Sequence, residues 1–207
     1  LAASGQYIKA IRQYRQTIHV HQVNNGLYGE QAARIAAELS EAHFALDEFD
    51  EANAMQNMYV GIMERNFPGD NLERLPSLYS RADMLSRTGK DLNSLKAHRR
   101  IITLIERAAG KKSLELIPAL MAIADLLGSR HIVDGDDGTE KATRYLRRAV
   151  AIAESSDDAS ELDKANIRIK MGDFLSQQSA NRRAVVSNYK RGWQYLDSNP
   201  DLHAYRD

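Results

Sequence analysis

The sequence contains no cysteine, which excludes disulfides, thiol catalysis, iron–sulfur clusters and cysteine-based zinc sites. Proline and glycine are also scarce, with 4 and 12 among 207 residues, and this scarcity favours helices over turn-rich folds. No stretch approaches the roughly 18 consecutive apolar residues of a membrane-spanning helix. The sequence therefore predicts a helical protein that does not insert directly into a membrane.

The chain also lacks net charge, because 28 Lys and Arg residues balance 28 Asp and Glu residues. Affinity for phosphate backbones needs a surplus of basic residues, so binding to nucleic acid is disfavoured. Basic residues do cluster at 96–100, 144–148 and 182–183, but a solvated helix face is the default interpretation of such clusters. The chain is 43% hydrophobic and 27% charged, which is typical of a soluble globular protein.

An internal repeat organises the chain. The segment at 71–85 matches the segment at 113–127 in seven of fifteen positions, at an offset of 42 residues. The same step relates earlier and later stretches once six residues are treated as an insertion in the polar, Gly-rich loop near 129–138. We interpret residues 1–207 as a single domain of about four and a half repeats.

Small residues recur in two columns of the aligned repeats. One column contains Ala10, Ala52, Ser94, Ala142 and Ala184, and the other contains Ser40, Ala82, Ala124 and Gly172. Small side chains at a fixed spacing indicate close helix–helix contacts. The apolar spacing between them predicts helices at 6–24, 30–46, 49–66, 72–88, 92–109, 114–129, 139–155, 160–178 and 182–198. Pro76 and Pro118 suit the early part of their helices, and would bend them slightly if the helices began at 72 or 114.

Paired helices with small residues in these columns resemble the tetratricopeptide repeat (TPR), in the longer variety of about 42 residues found in kinesin light chains and many bacterial proteins. The LYGEQ segment at 27–31 is similar to that variety's inter-repeat turn, and the DEA segment at 50–52 is similar to the start of its second helix. The resemblance implies an all-α, right-handed α-α superhelix (solenoid) of antiparallel helix hairpins. Residues 1–5 align with the end of a first helix at 85–89, so we expect the visible sequence to begin within a repeat, and the alternative is an end processed during secretion.

In the family that the chain resembles, the first helix of each pair lines a concave groove where partners bind. The residue after each small residue of the second column should then face this groove. These residues form an acidic ladder of Glu41, Asp83, Asp125 and Asp173. The other residues expected on this surface are Arg34, Glu38, Phe44, Tyr79, Arg87, Met121, Lys170 and Gln177. Among them, Phe44 and Tyr79 could supply hydrophobic anchors for a partner.

The acidic ladder has two interpretations. A concave negative field concentrates cationic ligands, so the ladder predicts a partner segment rich in Lys or Arg. The structural alternative is local pairing, because Arg87 lies four residues after Asp83 and Lys170 lies three residues before Asp173. Both spacings are those of ion pairs on one helix, and the sequence leaves the two interpretations open.

Candidate metal and catalytic sites fail on spacing. The six histidines include no HExxH motif, and His43 and His98 occupy packing columns that are typical of core residues. Residues 134–138 suggest calcium binding, but Gly138 and Tyr145 stand where an EF-hand loop needs its fifth and twelfth ligands. No Gly-rich phosphate loop and no GxSxG elbow occur, and the acids of the ladder are too far apart for a glycosidase pair. We therefore predict no enzyme activity, no metal and no cofactor.

The function that the sequence predicts is non-catalytic binding of another protein or peptide in the concave groove. One alternative is a sensory array of a regulator, in which a ligand or peptide changes the curvature of the repeats. Another is a scaffold segment of a bacterial cell-envelope protein, because the end of the chain faintly resembles repeat proteins followed by a TonB-like domain. The residues that carry this resemblance are Tyr189, Trp193, Leu196, Pro200 and Leu202. The compartment and the oligomeric state stay open, since a chain without cysteine suits both cytoplasm and periplasm.

Overall fold

Helices make up almost all of the described structure. The computed structural model describes residues 2–25, 29–128, 137–178 and 181–197. These residues form nine α-helices and one short 3-10 turn, with no strand among them. The helices are α1 (Ala2–Asn25), α2 (Glu30–Phe44), α3 (Phe49–Asn66), α4 (Leu75–Arg87), α5 (Asp91–Ala108), α6 (Leu116–Gly128), α7 (Asp137–Glu154), α8 (Glu161–Gln177) and α9 (Arg182–Asp197). Each of the nine predicted helices is present.

The two prolines lie in the first turns of their helices. The chain passes through the 3-10 turn Leu72–Arg74 before α4 begins at Leu75, so Pro76 lies next to the helix start. α6 begins at Leu116, two residues before Pro118. The first N–H groups of a helix have no intrahelical acceptor, so neither proline removes a helix hydrogen bond. The bend expected for an earlier helix start does not arise.

The chain divides into two compact units, unit 1 (Leu1–Leu104) and unit 2 (Ile105–Asp207). Within unit 1, α1, α2 and α3 each pack on the next helix along the chain, and within unit 2, α6, α7 and α8 do the same. α5 contributes residues to both units. This packing between sequence neighbours is the arrangement expected of a helical repeat. That residues 1–207 act as a single domain stays a prediction.

The small-residue columns coincide with buried contacts between the two helices of a hairpin. Ser40, Ala52, Ala82 and Ser94 are fully buried, each with 0% of its surface exposed. The Ser40 hydroxyl of α2 donates to the carbonyl oxygen of Ala52 in α3 at 2.8 Å. Ser94 of α5 makes the same contact with Ala82 of α4, also at 2.8 Å. Each buried hydrogen bond contributes about 1 kcal/mol, and the small partner residue lets the helices come this close.

The turns after α2 and α4 share one backbone conformation. Asp47 has a φ of 60° and Gly89 a φ of 72°, both in the left-handed region. The next N–H then donates back into the helix, as Lys90 does to the carbonyl oxygen of Leu85 at 2.7 Å, and Glu48 makes the equivalent bond. The left-handed residue thus directs backbone N–H groups toward the last carbonyl groups of the first helix, which would otherwise lack a hydrogen bond. It also turns the chain directly into the second helix of the hairpin.

Some predictions concern residues that the structure does not describe. The insertion predicted near 129–138 lies outside them, except for its last two residues, which begin α7. Pro200 and Leu202 of the tail also lie outside them. At the other end, residues 2–5 are continuous with α1, whereas the repeat alignment places them at the end of a separate helix.

Candidate partner-binding groove

The predicted groove residues of unit 1 lie on α2 and α4, the first helices of two neighbouring hairpins. On α2, Arg34, Glu38 and Glu41 are exposed, and their spacing of four and three residues places them on one helix face. On α4, Asp83 and Arg87 are exposed and lie one turn apart. Both helices therefore present a charged face, and contacts between the two faces show that they are adjacent.

Arg87 connects the two faces. Its guanidinium donates to Glu41 through both terminal nitrogens, Nη1 lying 2.8 Å from Oε1 and Nη2 lying 3.0 Å from Oε2. The same Nη1 lies 3.4 Å from Oδ2 of Asp83. The bidentate contact is the stronger of the two, because it uses two aligned N–H groups. The hydrogen bonds to Glu41 raise the pKa of Arg87 above its ordinary value. About half of the Glu41 side chain, 52%, remains exposed, so the cluster is open to a ligand.

Phe44 lies beside this charged cluster. The Arg87 Cζ is 3.9 Å from the centroid of the Phe44 ring, within the range of a cation–π contact. The opposite helix of the hairpin supports the ring, since Phe49 packs against it with 5.6 Å between centroids. Phe44 is half-buried, so part of its surface stays available as the hydrophobic anchor that the sequence predicts.

Tyr79, the second predicted anchor, is half-buried on α4. Its ring centroid lies 6.1 Å from that of His98 on α5. His98 is only 8% exposed, and burial lowers its pKa below the ordinary value, an effect that the charge of Asp83 partly offsets. Its Nδ1 has no hydrogen-bond partner among the described residues. His98 is therefore a neutral core residue behind Tyr79, in the packing column where the sequence places it.

The predicted groove residues of unit 2 lie on α6 and α8. Lys170 Nζ lies 2.8 Å from Oδ2 of Asp125, so an ion pair joins these two helices. The local pairing considered from the sequence would join Lys170 to Asp173 on the same helix. In the structure Lys170 instead pairs with Asp125 on the neighbouring helix. Met121 is half-buried on α6, and Gln177 is exposed on α8. The two helices of unit 2 thus present adjacent faces, as those of unit 1 do.

Tyr189 belongs to this surface, although the repeat pattern does not place it among the groove residues. Its hydroxyl donates to Oδ1 of Asp173 at 2.7 Å, and this hydrogen bond raises the pKa of Tyr189. A Cβ at Gly172 would lie 2.9 Å from Cε1 of the Tyr189 ring. Glycine in the small-residue column is therefore what allows the ring to approach α8. The other repeats have Ser or Ala in this column, so the glycine at 172 is the signal in the sequence that could have indicated the contact.

The acidic ladder is partly neutralised within each unit. In unit 1, Arg87 contacts both ladder acids, and in unit 2, Lys170 contacts one acid while the other accepts from a neutral hydroxyl. The acids and the cation of one unit form a contacting set, with two carboxylates and one cation in each. Each contacting set therefore keeps one carboxylate in excess. A cationic ligand would meet a weaker field than four unpaired carboxylates would produce.

Among the residues that the structure describes, no group of three or more His, Asp or Glu side chains is placed to hold an ion. Over the same part of the chain, no helix combines the length and hydropathy needed to cross a membrane.

Solved structures of other proteins have a similar arrangement of helices. No protein-family model matches the chain, and no curated protein sequence matches it. The putative kinesin light chain of Podosopora anserina, with nearly identical TPR-like repeats, has a TM-score of 0.70 at 13% identity, over 94% of this chain and 89% of that one. A form of it with one substitution has a TM-score of 0.71 at 12% identity, over 94% and 88%. BtubC (BKLC) from P. vanneervenii has a TM-score of 0.62 at 15% identity, over 99% and 76%.

The chain has a tetratricopeptide-like repeat fold. The predicted fold class, an all-α solenoid of helix hairpins, is confirmed. At 12% to 15% identity the likeness concerns the fold alone. In TPR-like terms, α2, α4, α6 and α8 are first helices of their hairpins, and α3, α5, α7 and α9 are second helices.

Proposed function

We propose that this chain is a non-catalytic protein-interaction module, which holds a partner peptide or protein segment against its first helices. The observation that carries the proposal is the cluster of exposed Glu41, Asp83 and Arg87 with half-buried Phe44. It brings charge and an aromatic ring together on two adjacent helices, a mixture that often dominates binding energy at interfaces. The likeness to TPR-like repeats supports the same role, since stacked repeats present extended binding surfaces.

The proposed partner segment carries Lys or Arg. One carboxylate is in excess in each contacting set, and a cation on the partner would neutralise it. In unit 1, the first contact is Asp83, because it is 64% exposed and lies farther from Arg87 than Glu41 does. In unit 2, it is Asp173, whose present partner is an uncharged hydroxyl. The apolar part of the partner then packs on Phe44.

The test compares wild type with two variants of equal charge. The ladder variant carries Glu41→Gln, Asp83→Asn, Asp125→Asn and Asp173→Asn. The control variant removes four exposed acids elsewhere, through Glu30→Gln, Glu51→Gln, Glu140→Gln and Asp158→Asn. All three proteins are first compared by thermal melting. Each is then probed with an array of peptides that differ in the number of Lys and Arg residues, and the best binder is titrated by calorimetry.

We expect wild type and the control variant to select the same basic peptide, and the ladder variant to bind it at least about tenfold more weakly, or about 1.4 kcal/mol. A third variant, Arg87→Gln, should bind it more tightly than wild type, because Arg87 competes with the peptide for Glu41 and Asp83. Equal binding by the ladder and control variants would refute a role for the ladder.

A further inference from the structure

A cavity of about 420 Å³ lies in unit 1, away from the groove contacts. Asn53 and Asn57 of α3 and Arg81 and Leu85 of α4 form part of its wall. The rest comes from the turn after α4 and from α5, with Lys90, Asn93, Lys96, Ala97 and Arg100. The volume is within the range of sites that bind small ligands, roughly 300–1,000 Å³.

The lining of this cavity is cationic. It contains four Lys and Arg side chains and no carboxylate. Two of the four have acidic partners: Lys90 pairs with Asp50 at 2.9 Å, and Arg100 pairs with Glu64, a carboxylate that it shares with Arg74. Arg81 and Lys96 form no ion pair with any residue that the structure describes. The cavity thus holds two positive charges that no described side chain compensates.

Arg81 is the most unusual of these side chains. Its Nε is buried and has no hydrogen-bond partner within the described part of the chain. A buried donor that makes no hydrogen bond is costly, so native structures satisfy almost all of them with protein, water or a ligand. Two further donors lie nearby, since Asn57 and Asn93 are exposed at the cavity. Asn53 is already engaged, because it donates to Phe49 at 2.6 Å and to Thr88 at 3.1 Å.

We propose that this cavity binds a phosphate monoester dianion, on a phosphorylated side chain of a partner or on a small phosphorylated compound. Two uncompensated cations match its two negative charges, and the fork of an arginine suits the geometry of phosphate oxygens. The amides of Asn57 and Asn93 would donate to the remaining oxygens. The proposal is independent of the groove, because the cavity is lined mainly by second helices and uses none of the ladder acids.

The test titrates the whole chain, at constant ionic strength, with inorganic phosphate, a phosphoserine peptide and the same peptide with serine. Binding is followed by calorimetry and by amide chemical shifts. Arg81→Gln removes the buried donor, and Lys96→Gln removes an exposed charge that the fold does not require. Arg99→Gln is the matched control, since Arg99 is exposed on α5 and does not line the cavity. Thermal melting verifies that each variant is folded.

We expect saturable binding with shifts at Asn57, Arg81, Lys96 and Ala97. Arg81→Gln and Lys96→Gln should each weaken it by about tenfold, as loss of a charge-assisted contact does, and Arg99→Gln by less than about twofold. Binding of the phosphoserine peptide should also weaken below about pH 6, where its phosphate loses the second charge. Tighter binding of the phosphopeptide than of inorganic phosphate would identify a phosphorylated partner protein as the ligand. Equal affinities would identify a small phosphorylated compound instead. An equal effect of Arg99→Gln, or equal binding of the serine peptide, would overturn the proposal.

Discussion

At the scale of the residue, one repeat position changes chemistry along the chain while staying in the core. After half-buried Tyr14, it is occupied by Gln56, His98, Leu146 and Asn188, which are 1%, 8%, 0% and 8% exposed. Asn188 satisfies its amide within unit 2, donating to Ala184 at 2.8 Å. Gln56 Oε1 and His98 Nδ1 have no such partner among the described residues. Buried polar atoms of this kind lower stability, since they lose water and gain no hydrogen bond.

The buried imidazole of His98 makes stability depend on pH. Its pKa in the folded state lies below the value of about 6.5 in the unfolded chain, so the unfolded chain binds more protons between the two values. The stability that depends on neutral His98 is present above about pH 6.5 and is lost as the pH falls toward the folded pKa. We expect His98→Gln, which introduces the residue that the preceding repeat already has, to reduce the loss of stability between about pH 7.5 and 5.5.

Urea unfolding at these two pH values measures the effect. His19→Gln is the control, because it makes the same substitution at an exposed position on α1. If His98→Gln changes the dependence no more than His19→Gln does, the pH-sensitive group lies elsewhere.

At the scale of the element, glycine has opposite roles in two helices. Gly172 in α8 faces the Tyr189 ring, whereas a Cβ at Gly61 in α3 would meet nothing within 4 Å. Gly61→Ala should therefore stabilise the protein by about 0.5–1 kcal/mol, the helix propensity gained. Gly172→Ala gains the same propensity but must displace the ring, at a cost of about 1–3 kcal/mol, so we expect net destabilisation.

Urea unfolding of the two variants tests this contrast. The Gly172→Ala variant should also weaken the hydrogen bond between Tyr189 and Asp173, which ultraviolet titration of the tyrosines would detect as a lower pKa for Tyr189. Stabilisation by both substitutions would mean that α9 can move away from α8 at little cost.

The helices could be predicted from the sequence because apolar spacing and small-residue columns are local signals. The partners of charged residues could not. Arg87 and Asp83 are four residues apart and do pair, but the stronger partner is Glu41, which lies 46 residues away. Lys170 likewise pairs across helices, with Asp125. Which of several acids a long flexible cation contacts depends on the distance between neighbouring helices, and that distance is set by packing rather than by local sequence.

At the scale of the whole molecule, packing between consecutive helices confines the effect of a mutation. Leu196 is 3% exposed in α9, which packs on α8. We expect Leu196→Ala to destabilise α8 and α9 by about 2–5 kcal/mol and to raise the hydrogen exchange of their amides. Amides of α2 and α3 should keep the protection that they have in wild type. Uniform loss of protection along the chain would instead indicate that all the helices unfold in one cooperative step.

The position of the single tryptophan has a practical consequence. Trp193 is 41% exposed on α9, so intrinsic indole fluorescence observes α9, whereas far-ultraviolet circular dichroism observes every helix. The native protein therefore carries its own probe of stepwise melting. If the fluorescence transition precedes the dichroism transition, α9 detaches first. The absence of cysteine also leaves every other position free for a single thiol-reactive dye, so that each hairpin can be followed in turn.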